Sequence, residues 1–120
     1  MIEKTILDYL GSRMSVPVYM ERPKGERFFV LIQKVGGSKS DQVWTSTLEF
    51  EAYGGTVGGT AADGSLLRAA QICEELIGHM DAAADSLADV ARSHYGGSYN
   101  ATFASSKEYR YKAIYEITHY

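Results

Sequence analysis

Few of the side chains that commonly do chemistry in proteins have a spacing here that supports it. The histidines are His79, His94 and His119, and the single cysteine is Cys73. None of them has the Cys-x-x-Cys or His-Glu-x-x-His spacing that holds a metal ion. Cys73 falls on the apolar stripe of a predicted helix, where a thiol packs as a small hydrophobic group. We interpret the histidines as solvated or half-buried structural residues, and the sequence predicts no catalytic, metal or cofactor site.

Acidic side chains are concentrated between residues 63 and 89. This stretch holds six acids and one base. The acids are Asp63, Glu74, Glu75, Asp81, Asp85 and Asp89. A calcium loop would need oxygen ligands at alternate positions around a central glycine, and that pattern is missing from the sequence. The spacing of the last three would stack them on one helical face, where like charges repel mildly. We interpret the run as a solvated acidic face.

Two further patterns resemble nucleotide or nucleic-acid sites without meeting their requirements. The Gly-Gly-Ser-Lys-Ser stretch at residues 36–40 lacks the earlier glycine and the following helix of a phosphate-binding loop. Tyr109, Tyr111 and Tyr115 share one strand parity, but the basic residues around them lie on the other. The net charge of −3 also gives no surplus for binding phosphates. These tyrosines are therefore expected to pack in a core or an interface.

The elements that position these side chains fit one domain spanning residues 1–120. The chain is 45% apolar and 22% charged, which is typical of a globular domain. The longest uninterrupted apolar run has five residues, so we expect no membrane span. The N-terminus is typical of an amphipathic helix, and we expect no signal peptide. A single cysteine forms no internal disulfide, which indicates a reducing compartment or indifference to redox state.

Hydrophobic periodicity predicts the order of helices and strands. The predicted elements are a helix over residues 2–13, an edge strand over 16–20, a central strand with both faces covered over 27–35, a strand over 43–53, a helix capped near Thr60 or Asp63 and running to Met80, and a long strand over 107–120. Residues 36–41 and 54–60 are predicted as a polar loop and a glycine-rich connector. Residues 82–95 are predicted either to prolong the helix or to begin a strand, and Gly96-Gly97 is predicted to end whichever of the two forms.

Helices segregated from consecutive strands indicate an α+β fold. We predict a mainly antiparallel sheet of four to five strands with two helices, in the order α-β-β-β-α-β-β.

The C-terminal segments at residues 97–102 and 107–117 resemble those of tail-terminator or head–tail joining proteins of long-tailed bacteriophages (siphophages). The N-terminal half is similar to the same family in its short first helix, its Ser-Val-Pro-Val-Tyr strand at 15–19 and its strand ending Val-Gly-Gly at 35–37. A strand ending Ala-Tyr at 52–53 and an alanine-rich second helix complete the likeness. The resemblance spans most of the chain, and it implies a strand over residues 88–95.

The resemblance implies a structural virion protein without enzymatic activity. Such proteins cap the end of the tail tube and join it to the head connector as a ring, often a hexamer, around the DNA path. The implied partners are other copies of the chain, the tail tube protein and the neck proteins, with the genome passing through unbound. The implied location is the virion tail or neck, and the host cytoplasm during assembly. The alternatives are another neck component, an adaptor or stopper, and a small α+β enzyme or ligand-binding domain.

Two glycine-rich loops, at residues 36–42 and 54–63, are expected to contact the two axial partners and to become ordered on assembly. Glycine adds no side chain to a core, so these glycines are not expected to serve packing. The candidate partner-contact residues are Lys39, Asp41, Val57, Tyr109 and Tyr111.

Overall fold

The chain forms a five-stranded sheet with its helices packed on one face. The computed structural model describes residues 1–56, 64–102 and 108–120. Its elements are α1 (Ile2–Gly11), β1 (Val18–Tyr19), β2 (Phe28–Ser40), β3 (Val43–Thr56), α2 (Leu66–Asp81), α3 (Ala83–Ser86), β4 (Val90–Asn100) and β5 (Glu108–His119). The predicted α+β fold and element order are confirmed, with the four-residue helix α3 as an addition.

The strands lie in the order β1-β2-β3-β5-β4. All neighbouring pairs are antiparallel except β1 and β2, which run parallel, so the sheet is mixed. The predicted edge strand is confirmed as β1, which is only two residues long. Pro17 directly precedes it, and its carbonyl accepts a hydrogen bond from the Val30 amide at 3.0 Å. A proline has no N–H to donate, which suits the start of an edge strand.

The sheet has a helix side and an open side. The helix side carries alternate residues of β3 and β5, including Leu48, Phe50, Ala113 and Tyr115, all fully buried against α1 and α2. The predicted parity of the last strand is therefore confirmed. No described helix packs on the open side. There the charged residues Glu51, Arg110 and Lys112 lie beside the stacked and buried rings of Phe29 and Tyr53.

The hairpin between β2 and β3 is tighter than the sequence indicated. The predicted polar loop at residues 36–41 is wrong, because β2 continues to Ser40 and pairs with β3 throughout. The turn needs only Asp41 and Gln42, which both have positive φ, 50° and 72°. Positive φ at both central positions matches the right-handed twist of the flanking strands. Residues 36–40 therefore form paired strand and not the loop that was expected to contact an axial partner.

The prediction of a central β2 with both faces covered holds for only half of the strand. Phe29, Val30 and Ile32 are buried, whereas every residue from Gln33 to Ser40 is exposed. β2 reaches the hydrophobic core only through Phe28, Val30 and Ile32, and β1 borders it only at Val30 and Leu31.

The ambiguous region after α2 contains a short helix and then a strand. α3 accounts for the helical pattern of the alanines at residues 82–84. β4 begins at Val90 and continues to Asn100, so Gly96-Gly97 does not end the strand as predicted. A bulge between Tyr95 and Gly97, where φ is 127°, absorbs the glycines within the strand.

The start of α2 also differs from the prediction. Ser65 is the N-cap, and its hydroxyl accepts a hydrogen bond from the Arg68 amide at 3.0 Å. Thr60 and Asp63, the predicted caps, lie outside the described residues. Gly54 belongs to β3 and is buried against this first turn of α2, so the expectation that these glycines serve no packing role is wrong there. Within the described ranges, no helix is long and apolar enough to span a membrane.

Candidate interaction site

The candidate contact residues lie at opposite ends of the sheet. Lys39 pairs with Trp44 in the last rows of the β2–β3 hairpin, and Asp41 forms its turn. Tyr111 pairs with Ala52 at the other end of β3, eight residues from Trp44, which corresponds to about 27 Å at about 3.4 Å per residue. The structure therefore does not bring the lysine and the tyrosines together.

The tyrosines at the second end are only partly available to a partner. Tyr109 and Tyr111 are half-buried, and Tyr111 packs against the hydrophobic core. Packing inside the subunit therefore accounts for much of the surface of Tyr111. Val57, the remaining candidate, lies outside the described residues.

A cluster of four side chains stands at the hairpin end and was not expected. Trp44 lies on the helix side of β3, yet it is 39% exposed and is not part of the hydrophobic core that the helices form with the sheet. The ammonium groups of Lys34 and Lys39 lie 5.9 and 5.0 Å from the centre of its ring. The ring of His119 is parallel to it within 9° at 6.4 Å. We call Lys34, Lys39, Trp44 and His119 the Trp44 cluster.

The position of Trp44 in the Trp44 cluster could be predicted in part from the sequence. Alternation along β3 places Trp44 on the apolar parity, which predicts the face but not how far the helices extend over that face. A cation over an indole ring is stabilising, and the Trp44 cluster holds two such cations at one exposed aromatic side chain.

A cleft of about 380 Å³ lies beside the Trp44 cluster. Its lining residues are Met1, Ile2, Glu3, Thr5, Lys34, Trp44, Asp89, His119 and Tyr120. Charges of both signs face the cleft, because Lys34 shares it with the carboxylates Glu3 and Asp89. A molecule in the cleft would contact the ring of Trp44 and side chains of both charges.

His119 of the Trp44 cluster also contacts a buried serine, Ser46. The Ser46 hydroxyl and the Nε2 atom of His119 are 2.8 Å apart, a distance typical of a nucleophile and its base. Ser46 is fully buried, however, so a substrate does not reach its hydroxyl in this structure. We therefore assign the pair a structural role. His119 is itself buried, which corrects the expectation of a solvated or half-buried residue.

The burial of His119 makes stability depend on pH. Burial lowers its pKa below the usual value, Lys34 and the N-terminus add to this, and the Tyr120 backbone and Glu3 oppose it. A histidine whose folded pKa is lowered binds its proton more readily when unfolded. The free energy of unfolding is then expected to fall as pH drops from about 6.5 towards the folded pKa, by at most about 1.4 kcal/mol per pH unit.

Urea unfolding at several values between pH 7.5 and 5 measures this loss, and His119→Gln is the matched variant. Glutamine keeps a polar partner for Ser46 but does not titrate. The difference in unfolding free energy between the native chain and the variant should shrink as pH falls. An unchanged difference across this range would show that His119 does not contribute.

The open side of the sheet carries a paired charge network. Glu51 lies 3.2 Å from the Arg110 guanidinium and 3.8 Å from the Lys112 ammonium, which also contacts Glu49 at 3.2 Å. The Tyr53 hydroxyl donates to Glu51 at 2.6 Å. Burial lowers the pKa of Arg110 and of Lys112, but the hydrogen bonds and carboxylates around each outweigh this and raise both pKa values overall.

Alternation along one strand predicts which side chains share a face, but not which strand lies beside it. Antiparallel neighbours on the same face lie close enough to pair, and β3 supplies the acids opposite the bases of β5. Carboxylates therefore already balance the two basic side chains that a nucleic-acid platform on this face would need.

The acidic run does not form one helical face as predicted. α2 ends at Asp81, Asp85 belongs to α3, and Asp89 precedes β4. Asp81 accepts a hydrogen bond from the Tyr115 hydroxyl at 2.8 Å, while Asp85 and Asp89 are exposed. The described residues contain no group of three side chains able to hold a metal ion.

Cys73 is buried in the core, as its helical position predicted. Burial, with a smaller effect of Glu74, raises the pKa of its thiol to about 11. The thiolate that a nucleophile requires is therefore scarce near neutral pH.

No protein-family model matches the chain, and no curated protein matches it significantly.

Proposed function

We propose that this chain is a structural virion protein that caps the end of a phage tail tube and joins it to the head connector. The proposal rests on the sequence resemblance, and one observation carries it further. The candidate contact residues Lys39 and Asp41 lie at one end of the sheet and Tyr109 and Tyr111 at the other. A protein held between two axial partners needs contact surfaces at its two ends.

A ring around the DNA path must let the genome slide. The net charge of −3 and the pairing of Arg110 and Lys112 with carboxylates agree with a wall that phosphates do not stick to. We propose a ring of copies of this chain, often a hexamer in the family that it resembles, located in the virion neck or tail and assembled in the host cytoplasm. An adaptor or stopper role in the neck would use the same surfaces.

A second candidate function follows from the cleft beside the Trp44 cluster. A cavity of about 380 Å³ with an aromatic wall and several polar groups lies within the size range of small-molecule sites. A ligand-binding domain is therefore the alternative from a different class. A small molecule that binds the cleft of the isolated chain would favour it.

Tube capping tests the first proposal directly. Purified chain is added to polymerising tail tube protein, and tube lengths and labelled tube ends are scored by electron microscopy. We expect shorter tubes with the chain at one end. Tubes of unchanged length with no bound chain would contradict the proposal.

A double variant tests the hairpin end. Lys39→Gln with Asp41→Asn removes one cation and one anion there, and asparagine still tolerates the positive φ at residue 41. The matched control, Lys4→Gln with Asp8→Asn, removes an exposed ion pair from α1. We expect the hairpin variant to weaken either capping or head joining at least tenfold while the control does not. Equal behaviour of both variants in both assays would exclude the hairpin end as a contact.

A further inference from the structure

The sheet ends on both sides in strands that have no outer partner among the described residues. β4 is the last strand on one side. On the other side, β1 covers β2 only at Val30 and Leu31, and the exposed half of β2 runs from Gln33 to Ser40. An open edge presents backbone N–H and C=O groups that pair with a further strand.

Bulges limit how much of each edge is regular. Pairing shifts between Lys34 and Gly36 in β2, and the regular stretch after it is residues 36–40. In β4 it shifts between Val90 and Arg92 and again between Tyr95 and Gly97, which leaves residues 92–95 and 97–100. Tyr99 and Asn100 lie in the rows of Leu31 and Val30, the two positions that β1 covers. A bulge twists an edge and prevents pairing past it, so the longest regular stretches in rows that β1 leaves open are residues 36–40 and 92–95.

The two regular stretches lie at the same height in the sheet. Ser38 pairs with Thr45, Thr45 with Thr118, and Thr118 with Arg92. The next two rows join the edges in the same way, Gly37 with Ser93 and Gly36 with His94. Residues that pair across the sheet in this way form one row. A rotation about an axis parallel to the strands moves a second copy around that axis but leaves each row at the same position along the strands. It therefore brings one regular stretch beside the other on a second copy.

The side chains bordering these stretches are complementary. Exposed apolar groups stand at one end of each, since Val35 is 49% and Tyr95 is 42% exposed. At the other end, Lys39 lies in the row that ends at Val90, and the exposed Asp89 directly precedes Val90. Tyr95 lies in the row of Lys34, and the bulged Val35 follows Lys34. A second copy therefore brings Lys34 and Val35 to Tyr95, and the Lys39 cation to Asp89.

We infer that β2 of one copy adds to β4 of the next, with residues 36–40 antiparallel to residues 92–95. The strand directions give this sense, because β2 and β4 run oppositely across the two strands between them. The contact joins different surfaces of the two copies, so repetition closes into a ring when the rotation divides a full turn. The inference rests on the proposed function, which requires such a ring.

Disulfide trapping tests the pairing. Cys73→Ala removes the native thiol, and Ser38→Cys with Arg92→Cys places one thiol on each edge in one row. β2 and β4 are three strand spacings apart, about 14 Å, which exceeds disulfide reach within one copy. Oxidation of concentrated protein, free and on tube ends, is expected to give a ladder of covalent oligomers that ends at a closed ring.

The control pair is Ser38→Cys with Tyr99→Cys, which keeps the same strands but joins different rows. Circular dichroism confirms that each variant is folded. Monomers only, equal trapping by the control, or dimers from Ser38→Cys alone would each overturn the edge pairing. If the chain caps tubes but gives no ladder of covalent oligomers, the edge pairing is wrong and the proposed function stands. If it gives the ladder but does not cap tubes, the edge pairing stands and the proposed function is wrong.

Discussion

Replacement of Tyr115 by alanine is expected to lower the free energy of unfolding by about 3–5 kcal/mol. The side chain is fully buried at the centre of the sheet. Its ring meets Phe50 edge-on at 6.1 Å and Tyr95 at 5.6 Å. Truncation to a methyl group leaves a cavity between the sheet and α2, which a close-packed interior fills only in part. A domain with about 5–15 kcal/mol of total stability would lose a large fraction of it.

Tyr115→Phe removes the hydroxyl but keeps the ring, so it distinguishes the contribution of the hydrogen bonds from that of ring packing. The hydroxyl donates to Asp81 at 2.8 Å and lies 3.3 Å from the Ile77 carbonyl, so it ties β5 to the end of α2. Burial first, then Asp81, raises the pKa of Tyr115, so the hydroxyl keeps its proton. Loss of one such hydrogen bond is expected to cost about 1 kcal/mol. Urea unfolding of all three proteins measures both effects. An alanine variant no less stable than the phenylalanine variant would contradict the packing argument.

The long strands could be predicted because the alternation of apolar and polar residues within a strand depends only on which face each residue of that strand takes. In β5 one parity is apolar for most of its length, and the same parity is buried in the structure. α2 was predicted less accurately. The sequence predicts an apolar stripe that begins at Leu66 and includes Cys73 and Met80, with Ile72 and Leu76 at its margin. Cys73 and Met80 are buried as predicted, but Leu66 is exposed and the two marginal residues are fully buried. A helical stripe in the sequence indicates a face, but the exact centre depends on how the helix lies across the sheet.

The features of the interaction site were harder to predict because they depend on other segments of the chain. Trp44 and residues 33–40 lie outside the hydrophobic core that α1 and α2 form with the sheet. The extent of that core depends on how the helices lie across the sheet, which the sequence of β2 or β3 alone does not reveal. The two-residue turn at Asp41 was missed because glycines and serines usually favour a loop, and here they lie within a paired strand.

Gly54→Ala is the second substitution with a large expected effect, a loss of about 3 kcal/mol in the free energy of unfolding. A Cβ added to Gly54 would lie 2.4 Å from the Ala69 amide nitrogen and 2.6 Å from the Ser65 carbonyl oxygen. Both are backbone atoms in the first turn of α2, so no side-chain rotation relieves the contact. The helix must move away from β3, and the packing of Ala69 and Ile72 moves with it.

Gly78→Ala is the matched control, because it makes the same chemical change inside α2. A Cβ there meets nothing within 4 Å, and alanine favours the helix over glycine by about 1 kcal/mol. We therefore expect this variant to be more stable than the native chain, so that one substitution type shifts the urea midpoint in opposite directions at two sites. Midpoints that move the same way would contradict the close approach of α2 to β3. If Gly54→Ala lowers the midpoint as expected, the first glycine of the predicted connector is required for core packing. A test of whether that connector contacts a partner must then begin after Thr56, the last residue of β3.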